Sequence, residues 1–319
     1  MVNMLAGKNI LVTGGTGFIG SHLIEELIKY NNKIITTYLS LDKKSYFSIN
    51  NMARKTTPIK VDISNFKEVM KLITKFRINF IFHLAAQPLV EVAYKEPLQT
   101  FQSNITGTIN ILECSRLNPQ IKGLIVASSD KAYGQLCKKK YSEEDALEGS
   151  HPYEVSKSAA DLICQAYFKT YQIPVVISRF GNVYGEGDLN FSRIFPGIMT
   201  SIVKHEPLQL RSNGKYVRDY IYVKDVVEGY LLLASSLQKI KGQAFNFGSK
   251  ETLSVLELIS LIEKLLNKKI NCVILNKAEN EIAYQSLNYT KASKLLGWKP
   301  KWNIESSIHR IYKYYNQIY

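Results

Sequence analysis

Thr13-Gly14-Gly15-Thr16-Gly17-Phe18-Ile19-Gly20 stands between an apolar run, Lys8 to Thr13, and a segment of helical period, Ser21 to Tyr30. Glycines at 14, 17 and 20 between a strand and a helix each have a separate task. Gly14 permits the tight turn, Gly17 lets backbone N–H groups approach a pyrophosphate, and Gly20 allows close helix packing. The helix start then adds partial positive charge for phosphate oxygens. Gly14, Thr16, Gly17, Phe18, Ile19 and Gly20 are therefore the expected contacts to a dinucleotide. Further apolar runs at 33–39, 59–63, 79–84, 121–127 and 175–180 alternate with helical patterns and short loops. That alternation predicts an α/β fold built on a doubly wound parallel sheet of the Rossmann type.

In such a sheet the second strand commonly ends in an acid for the adenosine ribose. Here Tyr38, Leu39 and Ser40 occupy that place, with Asp42 two positions late and Lys43-Lys44 beyond. Tyr38 and Ser40 are the expected contacts. NAD is the expected cofactor, and NADP stays open because the lysines could meet a 2′-phosphate. Asp62, followed by Ile63, is placed either to accept from the adenine amine or to cap the helix that follows. His83-Leu84-Ala85-Ala86-Gln87 closes the fourth strand; Leu84, Ala85 and Ala86 let backbone pass close to the cofactor. His83 reads as a hydrogen-bonded core histidine.

A polar cluster, Ser128-Ser129-Asp130-Lys131, follows the run 121–127, at the strand end where open sheets bind ligands. His151-Pro152 then opens a helix that carries Tyr153 and Lys157 on one face. A lysine beside a phenol lowers its pKa, so Tyr153 can act as base or acid on a hydroxyl that Ser129 aligns. A Tyr-x-x-x-Lys alone is common surface chemistry, and its weight comes from the surrounding motifs.

After 175–180 the pattern turns irregular to about residue 217, which suits a smaller substrate-recognising part. Arg211 and Arg218 flank a turn and suit a diphosphate through their planar forks, with solvated loop arginines as the alternative. Gln87, Ser128, Asn182 and Arg193 complete the expected substrate set. Residues 1–187, rejoined near 218–248, are read as the dinucleotide-binding domain, and 188–319 as a mixed α/β substrate domain.

Composition is globular, with 45% hydrophobic and 21% charged residues. The net charge of +14 accompanies scattered lysines, with Lys138-Lys139-Lys140 the single run. It is read as compositional bias with an anionic small substrate, and no nucleic-acid partner is expected. Cys114, Cys137, Cys164 and Cys272 are too far apart to suggest a metal site or a disulfide framework. No apolar run reaches the ~18 residues of a membrane span, and the sequence leads straight into a strand. A cytoplasmic protein is expected.

Taken together, these motifs resemble the extended short-chain dehydrogenase/reductases that act on nucleotide sugars. The resemblance also rests on Asn104 before Thr106-Gly107-Thr108, Arg179-x-x-Asn182-Val183-Tyr184-Gly185 and Val217-Arg218-Asp219-Tyr220. It implies a Ser129–Tyr153–Lys157 triad, with Asn182 and Arg218 on the diphosphate. It also implies a homodimer formed through the helices near 97–117 and 153–170. In that family 4,6-dehydratases carry an acid and a base directly after the serine position, and Asp130-Lys131 is similar to the CDP-glucose 4,6-dehydratases. Lys131 as base requires a pKa lowered by burial and by Lys157 nearby. A 4-epimerase or reductase of the same fold is the alternative. From 217 onward the chain looks generic, and the nucleotide base is left undetermined.

Overall fold

A computed structural model describes residues 5–277 and 282–319. Seven parallel strands form the main sheet, in the order Ala244–Phe247, Val175–Phe180, Gly123–Ala127, Phe80–His83, Asn9–Thr13, Lys33–Tyr38, Thr57–Lys60. Strand order reverses between Asn9–Thr13 and Phe80–His83, which opens a crevice at their carboxyl ends.

Both faces of the sheet are covered, so its central strands are largely buried and mostly apolar. Ile10, Val12, Phe82 and Val176 face the helices Phe18–Leu27 and Val223–Ile240. Leu11, Ile81, Leu124 and Ile177 face Phe66–Lys75 and Gly107–Leu117 on the other side. Each fully buried aliphatic side chain contributes roughly 1.5–3 kcal/mol, so alternation along every strand locks the register.

A second, mixed sheet forms above the crevice. Val217–Tyr222 pairs antiparallel with Thr252–Ser254 and parallel with Tyr284–Leu287, which in turn carries Lys140–Tyr141. Asn182–Tyr184 also pairs with Val217–Tyr222. Beneath it, Phe195, Ile198 and Ile202 pack with Leu258, Ile262, Ile308 and Ile311 from the helices Val255–Leu266 and Ile304–Ile318.

The segment expected to be irregular up to residue 217 contains a helix, Ile194–Lys204. Pro196 and Gly197 disguise it, yet a proline in the first turn removes an N–H that has no intrahelical partner. Packing of its apolar face decides the outcome. The helix expected over 97–117 is in two α-helical pieces, Pro97–Phe101 and Gly107–Leu117, joined by a wider π-type turn, Gln102–Thr106.

Candidate active site

The glycine turn is built as its spacing implies. Gly14 sits at φ +67°, and a Cβ there would lie 2.9 Å from Ala85 Cα. At Gly20 a Cβ would lie 2.5 Å from the Gly14 carbonyl oxygen. The helix Phe18–Leu27 begins at Gly17 with no side chain capping it, which leaves first-turn N–H groups for an anion. Thr13 Oγ1 accepts from the N–H groups of Leu84 and Ala85, each at 3.1 Å, and so draws the two chain crossings together. These residues fit a dinucleotide diphosphate.

Around this turn the expected contacts divide. Ile19, Leu84 and Ala86 line the cleft. Thr16 is buried, and Phe18 packs edge-on to His22. Tyr38 ends its strand, Ser40 is exposed, and the Lys44 ammonium lies 4.4 Å over the Tyr319 ring. Asp62 is exposed, and its Oδ1 accepts from Ser64 N at 2.9 Å and from Ser64 Oγ at 2.8 Å. The cap of the following helix is Asn65, so the capping role weighed for Asp62 belongs three residues later. The Ile63 side chain is core, and its carbonyl accepts from Asn110. His83 is buried, with Nδ1 2.8 Å from Thr13 Oγ1 and Nε2 3.2 Å from Thr108 Oγ1. Burial holds its pKa down to about 3, so it stays neutral.

A cleft of about 890 Å³ runs from this turn to the small sheet. Ser128, Ser129, Asp130, Lys131, Tyr153, Lys157, Asn182, Arg193, Arg211 and Arg218 all line it. Ser129 starts a single 3₁₀ turn, Asp130–Tyr133. Its Oγ donates to Asp130 Oδ1 at 2.9 Å and lies beside the Tyr153 phenol. The Lys131 ammonium lies 3.0 Å from Asp130 Oδ2, with side chains 20% and 6% exposed. Tyr153 and Lys157 come from the helix Pro152–Tyr171, which has proline at its first position.

Two electrostatic expectations need correcting. Tyr153 is pushed up to about 12 by burial; Arg193 and the Ser129 hydrogen bond pull it down, and Asp130 pushes it up. Lys157 is not the charge acting on the phenol. Its Nζ donates to the Ala127 carbonyl at 3.0 Å, tying helix to strand, and burial lowers it to about 8. For Lys131, burial lowers the pKa most and Asp130 opposes, while the cation that adds to the lowering is Arg218, not Lys157. Lys131 Nζ reaches across to Gln285 on the small sheet, where Arg218 lies on the adjoining strand.

Of the expected substrate contacts, Ser128 Oγ and Asn182 Nδ2 are buried without a protein partner, the condition of groups awaiting a ligand. Arg193 Nη1 lies 3.2 Å from Asp188. Arg211 pairs with Glu91, and Arg218 donates to the Val217 carbonyl at 2.8 Å. Gln87 is turned inward, donating to Thr100 Oγ1 at 2.8 Å and to the Leu89 carbonyl at 3.0 Å. It braces its own loop and is not one of the cleft walls.

Sequence reasoning missed three residues at the site. Buried Asn104, on the π-type turn, clasps both backbone groups of Gln87 and donates to Ser156 Oγ at 2.9 Å. Glu154 lines the cleft beside Tyr153 and accepts from Ser150. Gln285 touches both Asp130 and Lys131. Only Asn104 carried a signal, its place before Thr106-Gly107-Thr108.

Among the described residues no three His, Cys, Asp or Glu side chains could hold a metal, and no helix is long and apolar enough to cross a membrane. The four cysteines are free thiols.

Comparison with known proteins agrees with this construction. The family model described as GDP-mannose 4,6 dehydratase matches residues 11–311. CDP-glucose 4,6-dehydratase of Salmonella typhimurium is 29% identical, over 98% of this chain and 92% of that protein. The structure of dTDP-glucose 4,6-dehydratase from Bacillus anthracis in complex with NAD superposes with a TM-score of 0.84 at 27% identity, covering 98% of this chain and 97% of that one. UDP-glucuronic acid 4-epimerase from Bacillus cereus, in complex with UDP-glucuronic acid and NAD, gives 0.89 at 28% identity, over 98% and 100%. The glycine turn, the Ser129–Tyr153–Lys157 arrangement and the match over nearly the whole chain lead to one conclusion: this protein belongs to the GDP-mannose 4,6 dehydratase family, in the nucleotide-sugar 4,6-dehydratase branch of the extended short-chain dehydrogenase/reductases.

Proposed function

We propose that the protein is a lyase that converts a CDP-glucose-like nucleotide hexose to its 4-keto-6-deoxy derivative, with NAD held on the glycine turn. When bound, NAD supplies a reversible acceptor for the hydride that leaves C4 and returns to C6. Tyr153 removes the C4 hydroxyl proton while Ser129 aligns that hydroxyl. The resulting ketone acidifies C5–H. Lys131, as the free amine, takes the C5 proton, and Asp130, as the acid, protonates the departing C6 hydroxyl so that water leaves. Lys131 then returns its proton to C5 as hydride reaches C6. Ser129 Oγ donates to Asp130 Oδ1 and lies beside the Tyr153 phenol, which gives the C4 proton a route to the acid that expels water. Arg193, Arg211, Arg218, Asn182 and Ser128 hold the substrate, the arginines by paired N–H donation to phosphate oxygens.

The observation that carries this reading is the Asp130–Lys131 pair, facing the same cleft as Tyr153 and Ser129. An epimerase is the second reading, favoured by the likeness to the Bacillus cereus enzyme; moving hydride on and off C4 needs no acid–base pair beside the triad. Mass spectrometry of products from a panel of nucleotide glucoses decides between them: a dehydratase product is one water lighter, an epimer is not. Residues 1–187 with the return at 218–248 are taken as the cofactor domain, and 188–319 as the substrate domain. A homodimer through the helices near 97–117 and 153–170 would cover the exposed Leu98, Leu162 and Tyr171.

A further inference from the structure

We infer that Gln285 is a positioning residue that holds Lys131 and Asp130 in register for the C5 and C6 proton transfers; this rests on the dehydratase reading. Gln285 is 1% exposed on the strand Tyr284–Leu287, 154 residues from Lys131. Its Oε1 accepts from Lys131 Nζ, and its Nε2 donates to the Asp130 carbonyl at 2.8 Å. Chemistry dictates which way the amide faces, because an ammonium only donates and a carbonyl only accepts. The strand itself is fixed on both sides: Gln285 lies in register with Arg218, and Ser286 and Leu287 pair with Lys140 and Tyr141.

Lys131 nitrogen has three positions for hydrogens or a lone pair. Asp130 Oδ2 and Gln285 Oε1 take two, which leaves one for the substrate. An amide suits this place better than a carboxylate would. It fixes the nitrogen with a dipole, adding no second full negative charge that would bind the proton too tightly. The charged groups facing Lys131 are Asp130 on its own turn, Arg218 from the adjoining strand and Glu154 from the Tyr153 helix.

The test uses full-length protein loaded with NAD, with three readouts: product one water lighter, transient reduction of bound NAD, and pulse acetylation of Lys131 against pH read by peptide mass. Gln285→Met should lower product formation tenfold or more, with NAD reduction held within threefold. Gln285→Glu, nearly isosteric, should displace the Lys131 acetylation midpoint and the basic limb of dehydration upward by one pH unit or more. Parallel loss of both half-reactions, or wild-type midpoints and rates in both variants, would overturn the inference. Should Gln285→Met not fold, Gln285→Glu decides alone. Failure of the wild type itself to release water would sink the dehydratase reading, while the acetylation midpoints would still report on the contact.

Discussion

Replacing Lys131 by methionine keeps the unbranched stem of the side chain and removes its charge and its proton-accepting nitrogen. The structure allows the consequences to be separated. Asp130 keeps the Ser129 hydrogen bond at 2.9 Å and loses its cation at 3.0 Å. Lys157 is held by the Ala127 carbonyl, and the Lys131 ammonium bonds to Asp130 and Gln285 rather than to Tyr153 or Lys157, so C4 oxidation should proceed within a few-fold of the wild-type rate. The base is gone. Removal of a positioned base costs roughly 10²–10⁴ in rate, which is about 3–5 kcal/mol in the barrier. Orphaning Gln285 Oε1 costs about 1–3 kcal/mol of stability. The assay follows absorbance of bound reduced nicotinamide after mixing with substrate, and product mass over time. Reduced cofactor should build up and persist while 4-keto-6-deoxy product falls by the stated factor. Product at the wild-type rate would refute the role given to Lys131. Loss of cofactor reduction as well would show that the residue serves C4 oxidation or folding instead.

Three further outcomes follow from the same geometry. Tyr153→Phe should abolish cofactor reduction and product together, by roughly 10²–10⁴, with unchanged NAD affinity by titration. Gly20→Ala places a Cβ 2.5 Å from the Gly14 carbonyl oxygen and 2.6 Å from Gly15 Cα, both backbone. It should cost about 1–3 kcal/mol and weaken NAD binding, read by thermal melts with and without cofactor. His83 binds its proton at about 3 in the folded protein and at 6.5 when unfolded. Above pH 6.5 both states are neutral and the group contributes nothing. As pH falls below 6.5 only the unfolded chain takes up the proton, so stability declines by about 1.4 kcal/mol per unit toward pH 3. His83→Gln should flatten that acid limb in denaturant titrations; identical slopes would refute it.

Most of the fold was legible because its signals are local. A glycine triplet between strand and helix, apolar runs bounded by short loops, and Pro152 before Tyr153 each depend on neighbours within a few residues. The helix Ile194–Lys204 escaped because Pro196 and Gly197 read as breakers, and only burial against Ile308 and Ile311 outweighs them. Gln87 and Gln285 show the same limit at the site. Both are uncharged amides; Gln87 closes the His83-Leu84-Ala85-Ala86 run and Gln285 belongs to no motif. One turned out to brace a loop and the other to grip the acid–base pair.

By itself the sequence determined the dinucleotide turn, the parallel sheet and the residue types that meet at its carboxyl edge, because spacing along one strand or helix sets which side chains share a face. Tertiary structure alone decided what charges those side chains feel. Lys131 answers to Arg218 and Gln285, and Tyr153 to Arg193, through folding that brings distant segments within a few ångströms. Coulomb and desolvation energies depend on distance in space and on excluded water, and neither quantity is written in the order of residues along the chain.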